Sequence, residues 1–110
     1  MTISEFYSKA EEAIQLPLFY ERMDVEQEEE LPPIYIYFVA GETNIFEADN
    51  IVYWSNTPVE MVIVHGDSSI NEAAKATTEL FLNNNRLPFT NVDTYDNELT
   101  SWLTTYSFNI

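Results

Sequence analysis

Thr100-Ser-Trp-Leu-Thr-Thr-Tyr-Ser-Phe-Asn-Ile110 carries the clearest periodicity in the chain. Trp102, Thr104, Tyr106, Phe108 and Ile110 alternate with Ser101, Leu103, Thr105, Ser107 and Asn109. A period of two sends the first set to one face of a β-strand and the second set to the other. Immediately upstream, Phe89 to Tyr95 reads as a second strand and Asp96-Asn97 as the turn between them, so the tail is an antiparallel strand pair.

Before that pair the period changes. Ser69 and Glu72 have the spacing of a capping box, and a helix is predicted from about Ile70 to Asn83. Ile70, Ala73, Ala74, Thr77, Leu80 and Phe81 form its apolar stripe, and Asn83-Asn84-Asn85 supplies the stop, because Asn tolerates the left-handed conformation at a helix end. Three strands are predicted further upstream: Ile34 to Val39, Ile51 to Trp54 and Val59 to His65. Gly41 to Asn50 reads as a loop and Ser55 to Pro58 as a turn, and these short spacings favour an antiparallel meander. Ile34, Ile36 and Phe38 face one way and Tyr35, Tyr37 and Val39 the other, so both faces of the first strand need cover. Leu18 to Tyr20 is a possible short strand start.

At the N-terminus, Thr2 and Glu5 form another capping-box pair. Ile3, Phe6, Tyr7, Ala10 and Ile14 share one helical face, and Pro17 ends the helix. The order is α-β-β-β-α-β-β. This is an α+β fold in which two helices pack on a mostly antiparallel sheet, a meander plus the C-terminal strand pair. The 110 residues read as a single domain, 1–110.

Charge narrows the function classes. Nineteen Asp and Glu face four Lys and Arg, a formal net charge of −15. Such a chain repels phosphate backbones and anionic lipid, which argues against nucleic-acid capture and membrane association. The absence of cysteine excludes disulfides, thiolate metal sites and cysteine nucleophiles. Met1 to Leu18 has no apolar run and reads as no signal peptide, and no stretch approaches a membrane span. A cytoplasm-like compartment is the expectation.

Catalytic chemistry finds little to build on. His65 is the only histidine, and a triad or metal site needs partners held around it. Asp67 is near, but the spacing implies no ligand set, and a structural or surface histidine is the plainer reading. Glu26, Glu28, Glu29 and Glu30 form a dense acidic run without the alternating ligands and turn glycine of a calcium loop. With Gly41 and Gly66 as the only glycines, no glycine-rich phosphate cradle exists. The chain is expected not to be an enzyme and to need no cofactor and no metal. Tyr35, Tyr37, Tyr53, Trp54, Trp102, Tyr106 and Phe108 resemble, as a set, a base-stacking platform, but that mode requires cations beside the rings. They are better read as core or as interface aromatics that meet another polypeptide.

Several stretches, in order, resemble the small tail-completion proteins of long-tailed phages. These are Pro33-Ile-Tyr-Ile-Tyr-Phe38, Glu47-Ala-Asp-Asn-Ile-Val-Tyr53, Val59-Glu-Met-Val-Ile-Val64, Glu72 to Leu82 with Leu87-Pro-Phe-Thr90, and Tyr106-Ser-Phe-Asn-Ile110. The chain departs from that pattern at Val64-His65-Gly66, where more polar residues would be expected. The resemblance is to the tail terminator or head–tail joining group of siphophages. It implies a sheet flanked by helices and a ring, usually a hexamer, that caps the tail tube and receives the head. The implied partners are a second copy of the chain, the tail tube protein and a head-side connector, and DNA passes without specific binding. The implied location is the head–tail interface of the virion, after assembly in the bacterial host cytoplasm. The resemblance brings no catalytic residue with it.

In that setting Glu26, Glu28, Glu29 and Glu30 would line the channel or meet a basic neighbour, since like charge keeps a polyanion moving. An outward solvated loop is the plain alternative for the same run. A different function suits the charge as well: a small acidic regulator or DNA mimic that occupies a basic protein groove. Mutual repulsion among so many carboxylates has a consequence for any of these readings. Raising the salt from about 10 mM to about 150 mM shortens the screening length from about 30 Å to about 8 Å. The urea midpoint is therefore expected to rise over that range at neutral pH.

Overall fold

The computed structural model describes residues 1–20, 32–42, 44–48 and 51–110, with 44–48 and 51–55 described by their backbone alone. Helix α1 (Ile3–Ile14) starts where the capping box places it. Thr2 accepts from the Glu5 amide at 3.1 Å, and the Glu5 carboxylate accepts from the Thr2 amide at 3.3 Å. These contacts satisfy two of the amides a helix start leaves orphaned, and the same pair of bonds lowers the Glu5 pKa. Gln15, left-handed at φ 60°, closes the helix before Pro17.

Strand β1 (Leu18–Tyr20) follows and lies parallel to β2 (Tyr35–Ala40), Leu18 opposite Ile36. Tyr7 anchors α1 to this edge by donating its hydroxyl to the Leu18 carbonyl at 3.0 Å. β2 runs antiparallel to β5 (Pro58–Gly66), which runs antiparallel to β7 (Ser101–Asn109). β6 (Phe89–Asp96) completes the edge, so the five strands lie in the order β1-β2-β5-β7-β6. With helix α2 (Glu72–Asn84) between β5 and β6, the elements of this sheet and its helices follow α-β-β-β-α-β-β, an α+β fold. The tail is the expected strand pair, and Asp96 builds its turn by accepting from the amides of Glu98 and Leu99 at 2.8 and 3.0 Å.

The meander needs correcting. Ile51 to Trp54 does not lie between the strands that flank it in sequence. It belongs to β4 (Ile51–Asn56), which pairs with β3 (Asn44–Ala48), a strand inside the segment expected to be a loop. Together they form a separate two-stranded hairpin. β2 and β5 meet directly across its base, where the Gly41 amide donates to the Pro58 carbonyl at 2.8 Å. A Cβ on Gly41 would lie 2.9 Å from the Pro58 ring, so only glycine permits this approach. The other flank of β5 is taken by β7, and the reciprocal backbone bonds of Thr57 and Ile110 extend that ladder.

Helix α2 also starts later than expected. Its N-cap is Asn71, whose side chain accepts from the Ala74 amide at 3.0 Å, so Ser69 and Glu72 form no capping box. The buried stripe turns accordingly: Ala74, Thr78, Phe81 and Leu82 face the core, while Leu80 is 60% exposed. At its C-terminus Asn85 donates its side-chain amide to the Phe81 carbonyl at 2.9 Å, but the left-handed residue is Arg86 and not an asparagine.

Both helices contribute to the core on one face of the sheet. Phe6 lies at its centre and meets Phe38 edge-on at 5.1 Å, Phe81 at 5.8 Å and Phe108 at 5.5 Å. Ile36, Met61, Ile63 and Tyr106 complete the layer. The opposite face carries a smaller cluster of Tyr35, Val62 and Val64 with Phe19, Tyr37 and Leu103 beside it. Truncating a fully buried aromatic ring removes its contacts and leaves a cavity. Phe6→Ala is expected to cost about 3–5 kcal/mol by urea unfolding. Leu80→Ala, by contrast, should stay within about 0.5 kcal/mol of the parent.

Candidate interaction surfaces

Strand β6 forms one edge of the sheet, and nearly all of it is exposed. Its eight residues pair with β7 in unbroken register from Phe89 opposite Phe108 to Asp96 opposite Ser101. Edge strands are normally blunted by Lys, Pro or a bulge, and β6 has none of the three. Val92 is 54% exposed, with Thr90 and Thr94 beside it on the face away from the helices. Tyr95 packs edge-on against Trp102 at 5.3 Å and donates its hydroxyl to Asp67.

A groove of about 620 Å3 lies at the end of the sheet where β2 and β7 finish and β5 and β6 begin. Val39, Pro58, Phe89 and Phe108 give it apolar walls, and Glu60 and Asn109 add polar ones.

The sequence-predicted residues fall in different places. Glu26, Glu28, Glu29 and Glu30 lie outside the described residues. Tyr53 and Trp54 belong to the backbone of β4, and their side chains are likewise outside the description. Tyr35 is buried in the cluster on the helix-free face, Tyr37 packs partly buried against it, and half-buried Trp102 meets Tyr95 edge-on at the far end of the sheet. Tyr35 and Tyr37 therefore share one surface, from which Trp102 is separate.

At that far end, His65 organises a polar chain that sequence reasoning missed. The strand bulges between Val64 and Gly66. The Asn71 amide donates to His65 Nδ1 at 3.0 Å, and His65 Nε2 lies 2.8 Å from Thr104 Oγ1. A backbone amide can only donate, so Nδ1 is bare and the ring proton sits on Nε2. Thr104 accepts that proton's hydrogen bond and donates its own to Asp93 Oδ1 at 2.7 Å. Lys75 closes the chain on Asp93 Oδ2 at 3.0 Å. The Thr104 hydrogen bond, ahead of the Lys75 contact, holds the Asp93 carboxyl below its ordinary pKa. The bond to Asp93 in turn raises the Lys75 ammonium.

Asp67, the neighbour suggested by sequence, instead accepts from Tyr95. The signal for the true partner was present in the terminal alternation. Thr104 is a hydroxyl at an inward position between Trp102 and Tyr106, and a buried hydroxyl requires a partner. A second inward hydroxyl obeys the same rule: Tyr106, fully buried, donates to Glu79 Oε2 at 3.0 Å, and burial pushes its pKa far up. Among the described residues no three His, Cys, Asp or Glu side chains converge as a metal-binding group. Also among them, no helix is long and apolar enough to cross a membrane.

The chain matches no family model, and no curated protein matches it.

The polar chain makes a stability prediction. Thr104→Val keeps the shape but strips His65 Nε2–H and Asp93 Oδ1 of their partner, and should cost about 1–3 kcal/mol in urea unfolding. Tyr106→Phe removes one hydrogen bond to a half-buried carboxylate and should cost about 0.5–1.5 kcal/mol.

Proposed function

We propose that this chain is a ring-forming structural subunit of a siphophage tail-completion complex, which caps the tail tube and joins it to the head. The observation that carries this reading is the β6 edge: eight residues in regular register, six of them exposed, Val92 among them, with no Lys, Pro or bulge to blunt the strand. The inward charge on the strand, Asp93, is already engaged by Thr104 and Lys75, so it does not guard the edge. Such an edge is a liability in a lone molecule and an asset in an assembly, where main-chain groups of a neighbour can extend the sheet.

The sheet is asymmetric, which suits a ring. Its opposite edge is the three-residue β1, so the two ends of the molecule offer different surfaces. Closed rings use heterologous contacts in which one patch fits a different patch on the next copy. The sequence resemblance to tail terminators supplies the biological setting: a ring, usually a hexamer, contacting the tail tube protein on one side and a head-side connector on the other. The net charge of −15 suits a passage through which DNA moves without being held. In this reading the protein acts at the head–tail interface of the virion and performs no catalysis.

Mass measurement in solution with negative-stain imaging, alone and with tail tubes added, tests the proposal. Rings in either condition are the expected result. Val92→Lys should abolish them while leaving the far-ultraviolet circular dichroism unchanged, because a lysine on an exposed edge opposes strand addition. A chain that stays monomeric beside intact tubes would sink the reading. So would a salt-sensitive one-to-one complex with a DNA-binding protein, which would mark it as an acidic mimic.

A further inference from the structure

His65 holds two hydrogen bonds of opposite sense, and only one of them tolerates a second proton. Nδ1 accepts from the backbone of Asn71, the residue that caps α2, and Nε2–H donates to Thr104. Protonating Nδ1 sets a donor against an amide that can only donate, so that bond breaks. The Nε2–H bond to Thr104 and the Thr104 bond to Asp93 keep their direction in both states. Protonation therefore acts on one side of the ring alone. On that side lies the 66–71 segment, which leaves β5 through the bulge and through Gly66 at φ 102°, a conformation other residues rarely adopt.

We propose that His65 is an acid-sensitive latch that holds the 66–71 segment and the start of α2 closed while neutral and releases them when its Nδ1 is protonated. The charged groups facing the ring are Glu72 and Lys75 from α2 and Asp93 from β6. Asp93 and Glu72 favour the cation and Lys75 opposes it, while burial, the largest influence, also opposes it and sets the direction of the shift downward. A histidine whose folded-state pKa lies below its ordinary 6.5 contributes stability that is present above that value. The contribution is lost as the pH falls through the folded-state value. Asp93, held below the ordinary carboxylate range, stays charged while this happens and keeps the Thr104 side of the ring fixed.

Native-state hydrogen exchange of the Asn71 amide, referred to its intrinsic rate at each pH, reads the latch. Between about pH 7.5 and about pH 5, protection of Asn71 is expected to fall, by up to about tenfold per pH unit between the ordinary 6.5 and the folded-state midpoint, and to level off below that midpoint. The Ile63 amide on the same strand as His65 serves as the control and should hold its protection. In His65→Asn the side-chain oxygen can replace Nδ1 as acceptor without titrating, and Asn71 protection should become flat with pH. Should that variant not fold, the ring nitrogen shifts of the parent protein decide, and they must report the Nε2–H tautomer at neutral pH. Flat Asn71 protection in the parent, equal losses at Ile63 and Asn71, or an Nδ1–H tautomer would each overturn the proposal.

Discussion

The packing of Phe6 against three rings from three other elements is the contact on which the rest of the structure depends. Phe38 comes from β2, Phe81 from α2 and Phe108 from β7. One side chain thus ties the N-terminal helix to the second helix and to two strands on either side of β5. Edge-on and tilted ring pairs add specific geometry to the burial of large apolar area, so the angle at which α1 crosses the sheet is set as well as its position. The same contact commits one entire face of the sheet to the helices. That face of the sheet is therefore closed to other proteins, while the strand edges, the groove at the end of the sheet and the outer sides of the helices stay open.

Charge and surface then divide the work. Most of the chain's cations are single residues among acids, and Lys75 is already engaged with Asp93. With four cations against nineteen acids, association between copies in the proposed ring would draw mainly on main-chain pairing and apolar contact such as Val92 provides. Screened repulsion sets an ionic-strength threshold for that kind of assembly.

Local features of the fold were legible in the sequence where local physics decides them. The alternation from Thr100 to Ile110 and the Thr2–Glu5 box concern residues a few positions apart, and both stand in the structure. What the sequence hid was settled by distant partners. Ile51 to Trp54 reads equally well as a sheet strand or a hairpin strand, and the choice falls to β7, which takes the place beside β5. The cap of α2 falls at Asn71, whose amide is held by His65, six residues upstream across a bulge. Leu80 fits an apolar stripe on paper, but one residue of phase is enough to turn it to solvent. The candidate surfaces were less legible still. Exposed aromatics could be named from composition, yet only the pairing order identifies β6 as an edge and Tyr35 as covered.

The strand order carries a consequence for biosynthesis. β7 follows the other four strands of its sheet in sequence, yet it sits inside that sheet between β5 and β6 and delivers Tyr106 and Phe108 to the core. A nascent polypeptide can assemble α1 with β2 and β5 while still being translated, but Met61 and Ile63 have no neighbour on one flank until β7 emerges. The sheet is thus completed only once β7 has been made, and until then it displays the type of surface that chaperones bind.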